Sequence, residues 1–246
     1  MKTQTTASRN RAIDDYWSGR AHAYHRHQVT GERAQLDREL WTAVFTDAIG
    51  PGRGVLDVGT GSGYVANLLA ANFTVTGIDR SPGMIEQARG HNGNAEFLIG
   101  DAVNVRSALP EDARFDAITS RYLLWTLPDP VAAIREWMSV LRPGGRVIAV
   151  DAPWFPHGID DSMLVETPDG PDAFLRTYNP DTLATLPLAT ATDASPYVEA
   201  FEKAGLYDVS LTPLPQVTDL DRTFGVAPGH ESRPHFLVTG IVRDPS

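Results

Sequence analysis

Apolar residues follow a helical pattern through the first fifty positions of the chain. From Ala12 to Ile49 they recur at intervals of three and four residues, which places them on one face of a helix. The segment VTGE at 29–32 predicts a break between two helices, and Pro51 ends the region. Residues 1–10 are polar, and we expect them to be frayed.

The next hundred residues alternate short apolar runs with helical spacing. The runs predict five strands, at 55–58, 74–78, 96–99, 115–119 and 146–150. Helices are predicted between them at 64–71, 81–88 and 131–141, and the segment Arg142-Pro143-Gly144-Gly145 should stop the last one. Such alternation predicts a parallel sheet covered on both faces, with ligands at the carboxyl ends of the strands.

The alternation ends after Asp151. Residues 152–194 are rich in proline and show no long periodic run, so we expect an insertion over the sheet. A helix is predicted at Ser195–Ala204, with Gly205 as its stop. Runs at 209–211 and 236–242 predict closing strands.

Composition and charge narrow the class of protein. A chain of 246 residues with 42% hydrophobic and 21% charged residues can bury one sizeable core. The net charge of −10 disfavours a nucleic-acid partner, and the lack of cysteine excludes disulfides and thiolate nucleophiles. The N-terminal segment has no apolar signal-peptide core, and no 18-residue apolar run follows. We therefore expect a cytoplasmic protein without a membrane partner.

A glycine-rich segment, LDVGTGSGY at 56–64, joins the first predicted strand to a helix. Its spacing is G-x-G-x-G, whereas dinucleotide binders have G-x-G-x-x-G, and position 64 is Tyr. Asp79 ends the second predicted strand, where a carboxylate can accept hydrogen bonds from both ribose hydroxyls. Asp101 ends the third and is placed to meet the base of the same ligand. The segment and the two aspartates therefore predict a site for a ligand that carries a ribose and a base.

The order of these motifs resembles the class I S-adenosylmethionine-dependent methyltransferases, in particular bacterial small-molecule enzymes of the ubiquinone and menaquinone C-methyltransferase type. The resemblance covers residues 12–151 and rests on VLDVGTGSG, VTGIDRSPGMIEQAR, EFLIGDA, FDAITSRYLLWTLPDP and LRPGGRVIAV. It implies a Rossmann-like, doubly wound α/β fold with a seven-stranded, mostly parallel sheet, an N-terminal helical cap and an insertion after the fifth strand. The implied cofactor is S-adenosylmethionine, with S-adenosylhomocysteine as product and no metal.

The same resemblance divides the chain into four regions. Residues 1–50 form the cap and 51–151 the cofactor-binding core. Residues 152–194 form an insertion that covers the acceptor, which is the molecule that receives the methyl group. Residues 195–246 supply a C-terminal helix and the closing strands.

Cofactor contacts also follow from the resemblance, position by position. They are Tyr24, Asp57, Gly59, Thr60, Gly61, Gly63, Asp79, Arg80, Met84, Asp101, Ala102, Ser120 and Arg121. In this assignment the glycines line the methionine part, Asp79 binds the ribose and Asp101 the adenine. Ser120 and Arg121 face the sulfonium, and Tyr24 contacts the cofactor carboxylate. An exposed ion pair is the alternative for Arg121, and a core position is the alternative for Tyr24.

Histidine and aromatic side chains are the candidates for the acceptor side. His157 follows the fifth predicted strand and His25 lies on the cap, and either could act as a general base near neutral pH. A surface position is the alternative for both, and His230 and His235 are weaker candidates. His22 and His25 share a helix face, but a third metal ligand does not accompany them. The candidate acceptor-binding aromatics are Tyr122, Trp125, Trp154, Phe155, Phe174 and Tyr178, with core packing as the alternative for some.

The main hypothesis is an enzyme that methylates a carbon, nitrogen or oxygen of a small apolar or aromatic metabolite, in secondary metabolism. One alternative is a repurposed relative that binds the cofactor without methyl transfer, for example a cyclase. Another is a nicotinamide-dependent oxidoreductase, which the glycine spacing disfavours. The sequence leaves the acceptor and a homo-oligomeric state open.

Overall fold

The computed structural model of the chain describes residues 6–91, 93–167, 170–226 and 231–243. The strands are β1 (Gly54–Val58), β2 (Thr74–Asp79), β3 (Glu96–Ile99), β4 (Phe115–Arg121), β5 (Leu141–Asp151), β6 (Glu166–Thr167), β7 (Gly170–Pro171), β8 (Tyr207–Pro213) and β9 (Phe236–Ile241). The α-helices are α1 (Thr6–Val29), α2 (Arg33–Ile49), α3 (Tyr64–Leu69), α4 (Pro82–Arg89), α5 (Pro130–Met138), α6 (Phe174–Thr177), α7 (Pro180–Leu183), α8 (Ser195–Ala204) and α9 (Pro215–Phe224).

Seven of these strands form one sheet in the order β3-β2-β1-β4-β5-β9-β8. The neighbours among β1 to β5 pair in parallel, whereas β9 is antiparallel to β5 and β8 is antiparallel to β9. The predicted seven-stranded, mostly parallel sheet is thus confirmed. Strand order reverses between β1 and β4, and open α/β sheets bind ligands at the carboxyl side of such a reversal.

Both faces of the central strands are buried, which explains the near-continuous apolar character of these strands. Side chains alternate between the two faces along each strand. One face carries Leu56, Ile118 and Val147 and packs against α5 and α8, through residues that include Trp137 and Phe201. The other face carries Val55, Ala117 and Ile148 and packs against α2, α3 and α4, through residues that include Phe45, Leu69 and Ile85.

The N-terminal helix begins earlier than the sequence predicts. Of residues 1–10, expected to be frayed, residues 6–10 belong to α1 and residues 1–5 lie outside the described residues. Arg9 Nη1 donates to Thr185 Oγ1 over 3.1 Å, so the insertion anchors this first turn. The predicted break at 29–32 is confirmed, since α1 ends at Val29 and α2 begins at Arg33.

The junction between α5 and β5 also differs from the prediction. The helix ends at Met138, and β5 begins at Leu141, before the Pro-Gly-Gly segment that was expected to precede the strand. The amide of Phe115 donates to the carbonyl of Val140 over 2.9 Å, so pairing with β4 starts there. A shift in register after Phe115 accommodates the extra residues of β5.

In the described part of residues 152–194 the elements are short: β6, β7, α6, α7 and a 3-10 turn at Asp161–Met163. The helix predicted at Ser195–Ala204 is confirmed as α8, and Gly205 ends it with a φ of +103°. Helix α9 was not predicted. Its apolar residues do recur on one face, and the buried residues of that face are Val217 and Asp221.

We predict that Gly63→Ala destabilises the protein more than Gly144→Ala, although both glycines have positive φ, +79° and +73°. A Cβ at Gly63 would lie 2.7 Å from Phe97 Cζ, whereas nothing lies within 4 Å at Gly144. Backbone strain costs about 1–2 kcal/mol at either site, and overpacking adds about 1–3 kcal/mol at Gly63. Urea unfolding measures both free energies. Equal losses would show that the Phe97 contact has no energetic weight.

Candidate functional site

A cavity of about 420 Å³ lies at the carboxyl ends of β1 to β4 and is bounded on its outer side by α1. Its wall combines Asp14 and Trp17 of α1 with Gly59 and Gly61 of the segment that follows β1, and with Asp79 at the end of β2. The volume falls in the range of small-molecule sites in proteins, which is roughly 300–1,000 Å³. The cavity therefore stands where the reversal of strand order predicts a ligand.

Residues 59–63, the glycine turn, line the cavity with the backbone of Gly59 and Gly61. Gly59 and Gly61 have φ values of +68° and +55°, which non-glycine residues rarely adopt. A Cβ at Gly59 would lie 2.8 Å from Leu123 Cδ2, so a side chain there would collide with the wall. The Thr60 amide donates to the carbonyl of Ile78 over 2.9 Å and fixes the turn against β2.

Asp57 supports the glycine turn from behind the cavity. Its side chain is 2% exposed, and its two carboxylate oxygens accept from the hydroxyls of Thr60 (2.7 Å) and Thr119 (2.8 Å). Burial raises the pKa of Asp57 to about 6, and the two hydroxyl hydrogen bonds oppose that shift. The carboxylate thus links the turn to β4. Ser120 is also buried, and its hydroxyl has no partner among the residues described.

Asp79 fixes the other side of the turn and faces the cavity. Its carboxylate accepts from the amides of Gly61 (2.9 Å) and Ser81 (2.8 Å). Burial raises its pKa, while these two amide hydrogen bonds lower it. A carboxylate offers about four acceptor positions, so the two amides leave capacity for two further donors.

Arg80 connects α1 with the core at the acidic end of the cavity. Its Nε donates to Asp14 Oδ1 over 2.6 Å, and its Nη1 lies 3.6 Å from Asp101 Oδ2. Beside it, the hydroxyls of Ser18 and Ser81 share a hydrogen bond of 2.8 Å. These contacts hold α1 over the carboxyl ends of β2 and β3.

Arg121 ends β4 at the opposite end of the cavity. Its guanidinium carbon lies 4.9 Å from the ring centroid of Tyr122 and 5.1 Å from those of Trp41 and Tyr64. Such distances allow favourable cation–π contacts. Tyr24 also lines the cavity, and its ring packs edge-on against Trp17.

Nine of the thirteen predicted cofactor contacts line this one cavity. They are Tyr24, Gly59, Gly61, Asp79, Arg80, Met84, Asp101, Ala102 and Arg121. The remaining four, which are Asp57, Thr60, Gly63 and Ser120, do not line it. Thr60 is hydrogen-bonded to Asp57, and Gly63 starts α3 against Phe97.

The six predicted acceptor-binding aromatics have two different positions. Tyr122 lines the cavity, and the Trp154 ring packs edge-on against the Tyr122 ring with centroids 5.0 Å apart. The other four pack on one another and on Tyr16 and Trp17 of α1; they are Trp125, Phe155, Phe174 and Tyr178. This aromatic cluster packs the insertion against α1. Acceptor binding by its members stays a prediction, with core packing as the alternative.

The two predicted catalytic histidines do not line the cavity. His157 is exposed, in a turn in which the Gly158 amide donates to the Phe155 carbonyl. His25 Nδ1 lies 3.1 Å from Ser62 Oγ, and its ring stacks on His91 at 3.8 Å. Burial lowers the pKa of His25 to about 4. A catalytic role for either histidine stays a prediction to which the geometry of the cavity gives no support.

His235 is the histidine that packs on the cavity wall, although the sequence favoured others. It is 6% exposed, and its ring lies 5.5 Å from that of Tyr122 and 5.7 Å from that of Trp154. Nδ1 lies 2.9 Å from the carbonyl oxygen of Arg233, so this nitrogen carries the proton and donates. Burial lowers the pKa to about 4, against the opposing charge of Asp221. His230 lies outside the described residues.

Two broader features concern the same described residues. Among them, no cluster of three His, Cys, Asp or Glu side chains has the arrangement of a metal site. None of their helices combines the length and the apolar character needed to cross a membrane.

Comparisons with known proteins agree with this geometry. Residues 56–149 match the family described as methyltransferase domain. A demethylmenaquinone methyltransferase from Beutenbergia cavernae is 33% identical over 163 residues, which are 63% of this chain and 67% of that protein. A ubiquinone biosynthesis O-methyltransferase from Coxiella burnetii is 37% identical over 98 residues, or 39% of this chain and 42% of that protein.

The solved structure of a DhpI–SAH complex matches with a TM-score of 0.60 at 22% identity, over 98% of this chain and 100% of that one. The fold and the cavity are those of an α/β nucleoside-binding protein whose site lies where the strand order reverses. The chain belongs to the class I S-adenosylmethionine-dependent methyltransferases, in the group that includes the quinone methyltransferases. It spans two thirds of the first relative's length and less than half of the second's.

We predict that His235→Gln flattens the acid limb of the stability profile. The pKa of His235 falls from 6.5 to about 4 on folding, so the unfolded chain binds more protons between these pH values. Above pH 6.5 His235 is neutral in both states and does not lower the free energy of unfolding. As the pH falls from 6.5 towards 4, protonation of this histidine in the unfolded chain lowers that free energy. Urea unfolding at pH 7 and pH 5 should give a decrease about 2 kcal/mol larger in the wild type than in the variant. Exposed His27→Gln is the control, and parallel profiles for wild type and His235→Gln would contradict the prediction.

Proposed function

We propose that this methyltransferase transfers the methyl group of S-adenosylmethionine to a small apolar or aromatic metabolite, in secondary metabolism. The observation that carries the proposal is the single cavity that gathers the glycine turn, Asp79 and Asp101 at the reversal of strand order. The family supports the reaction class, and the cavity volume of about 420 Å³ supports a small ligand.

The residues of the cavity fit the cofactor on the chemistry of their donors and acceptors. Asp79 has free acceptor capacity for two ribose hydroxyls, because its two known partners are backbone amides. Asp101 would accept from the exocyclic amine of the base, and Met84 and Ala102 would pack against its faces. The backbone of Gly59 and Gly61 would lie beside the amino-acid part, where a Cβ would intrude.

Methyl transfer requires little of the protein beyond positioning. When bound, S-adenosylmethionine supplies a methyl group that its sulfonium already activates. The chain's own task is to orient the acceptor in line and to exclude water, which can contribute a large part of the rate. The α1 helix bounds the outer side of the cavity and suits the exclusion of water, and the aromatic cluster packs α1 against the insertion.

The names of the relatives suggest an acceptor of the aromatic or quinone type. One relative is named for a menaquinone precursor and the other for an O-methyl transfer in ubiquinone biosynthesis, so the two differ in name and leave the methylated atom open. Tyr122 would offer a planar wall to such an acceptor, with Trp154 packed edge-on against the Tyr122 ring.

Cofactor binding without methyl transfer is the alternative, for example in a cyclase. The observation that favours it is that neither His157 nor His25 lines the cavity, so no predicted base stands at the reacting end. A transfer assay separates the two functions, whereas binding of the cofactor does not.

We predict that Asp79→Asn weakens the binding of S-adenosylhomocysteine at least tenfold, measured by isothermal titration. Each hydrogen bond to a charged acceptor contributes about 1.5–3 kcal/mol, and the amide removes the charge and one acceptor oxygen. Asp116→Asn is a matched control, because Asp116 likewise accepts from two backbone amides, those of Arg53 and Gly54, but lies outside the cavity. Equal affinities of all three proteins would contradict the ribose assignment.

We also predict transfer of tritium from methyl-labelled S-adenosylmethionine to a member of a panel of small phenols, quinols and aromatic amines. Product should be extractable into organic solvent, and Asp79→Asn should reduce its formation in parallel with cofactor affinity. Tight binding of S-adenosylhomocysteine without transfer to any compound, or with formation of an unmethylated cyclic product, would favour the alternative.

A further inference from the structure

The guanidinium of Arg121 is held in an aromatic cage at one end of the cavity. Its three rings come from different parts of the fold, Trp41 from α2, Tyr64 from the start of α3, and Tyr122 from the residue after β4. Tyr122 adopts a φ of +63°, which is unusual for an aromatic residue and aims its ring back toward its neighbour. The cage therefore fixes the position of the positive charge.

The donors of this guanidinium have no hydrogen-bond partner among the described residues. Across the described ranges of the chain, the side chain of Arg121 makes neither a hydrogen bond nor an ion pair, whereas that of Arg80 pairs with Asp14 and that of Arg9 donates to Thr185. The positive charge of Arg121 lowers the pKa of Asp57, but the carboxylate oxygens of Asp57 accept hydrogen bonds from threonine hydroxyls. A partly buried arginine presents five N–H donors, and leaving them unpaired is costly.

The chemistry of this site selects its ligand. Aromatic rings interact with the faces of a guanidinium and leave its N–H edge for a planar oxyanion. A carboxylate matches that edge with two parallel hydrogen bonds. A sulfonium, in contrast, is a cation and would be repelled by Arg121. The expectation that Arg121 faces the sulfonium is therefore electrostatically unfavourable.

We propose that Arg121 is the carboxylate receptor of the cavity and binds a carboxylate carried by one of its two small-molecule ligands. The inference rests on the proposed function and deepens it. The carboxylate belongs either to the amino-acid end of the cofactor or to an acidic acceptor. At the other end of the cavity Asp14, Asp79 and Asp101 supply the acidic groups, so a carboxylate is directed to Arg121.

The test compares three proteins by isothermal titration: wild type, Arg121→Gln and the charge-retaining Arg121→Lys. Arg142→Gln is the control for loss of one positive charge, since Arg142 pairs with Asp116 outside the cavity. The probes are S-adenosylhomocysteine, its decarboxylated analogue, and 4-hydroxybenzoate paired with its methyl ester. The benzoate pair is titrated with and without S-adenosylhomocysteine. Thermal melting without ligand shows whether each variant is folded.

One supporting result assigns the cofactor carboxylate. Arg121→Gln then weakens the binding of S-adenosylhomocysteine by tenfold to a hundredfold, while the decarboxylated analogue binds the wild type and Arg121→Gln equally. The other supporting result assigns an acidic acceptor. In that case Arg121→Gln leaves the affinities for S-adenosylhomocysteine and its decarboxylated analogue unchanged. It abolishes the preference of the wild type for 4-hydroxybenzoate over its methyl ester. In each case Arg121→Lys should retain part of the affinity, because it keeps the charge and loses the paired geometry.

The proposal is overturned if folded Arg121→Gln and Arg121→Lys bind every probe as the wild type does, or if the decarboxylated analogue loses as much affinity as its parent. Failure of the proposed function has a different signature, which is that wild type binds neither nucleoside. The benzoate pair, titrated into the protein alone, then still decides whether Arg121 receives a carboxylate. If Arg121→Gln does not fold, the comparison of wild type with Arg121→Lys decides it.

Discussion

The buried carboxylate of Asp57 is the interaction on which the site depends. It lies between β1 and β4, where the strand order reverses, and it accepts from hydroxyls on both sides of that gap. Three of the five residues of the glycine turn are glycines with positive φ, so the turn needs restraint from its surroundings. Asp57 holds it from the core through Thr60, and Asp79 holds it from β2 through the amide of Gly61. The shape of the cavity follows from these two carboxylates.

Closure of the cavity depends on contacts that cross between distant segments. Trp17 Nε1 donates to the Tyr178 hydroxyl over 2.9 Å, Arg20 forms an ion pair with Asp172, and Arg80 holds Asp14. The aromatic cluster adds apolar burial between α1 and the insertion. These contacts fix the position of α1 over the cavity.

The sequence predicts the sheet well because its signals are local. Buried parallel strands appear as apolar runs, and the glycine turn with Asp79 appears at a fixed spacing in an expected context. Most predicted cofactor contacts therefore meet in one cavity. The start of β5 was predicted less well, because Pro143 and the glycines after it resemble a helix stop while pairing with Phe115 begins earlier. Tertiary pairing overrides the local signal there.

The acceptor side could not be predicted to the same extent, because its geometry depends on contacts between distant segments. An aromatic residue after a strand serves equally as a cavity wall or as packing, and the position of α1 determines which. Trp125 packs against Tyr178 across the insertion, whereas Tyr122 reaches the cavity through a backbone conformation that no sequence pattern announces. His235 is buried by the antiparallel pairing of β9 with β5, a contact between positions far apart in the chain.

The charged groups of the cavity are divided between its two ends, so they can orient a ligand that carries opposite charges. Three carboxylates, those of Asp14, Asp79 and Asp101, gather at the end formed by β2 and β3, where Arg80 neutralises part of their charge. The caged guanidinium of Arg121 stands at the end of β4. A ligand rich in hydroxyl and amine donors at one end and acidic at the other is therefore oriented before close contacts form. For the proposed cofactor this places the nucleoside against the carboxylates, and the reacting group comes to lie in the less charged region between the two ends.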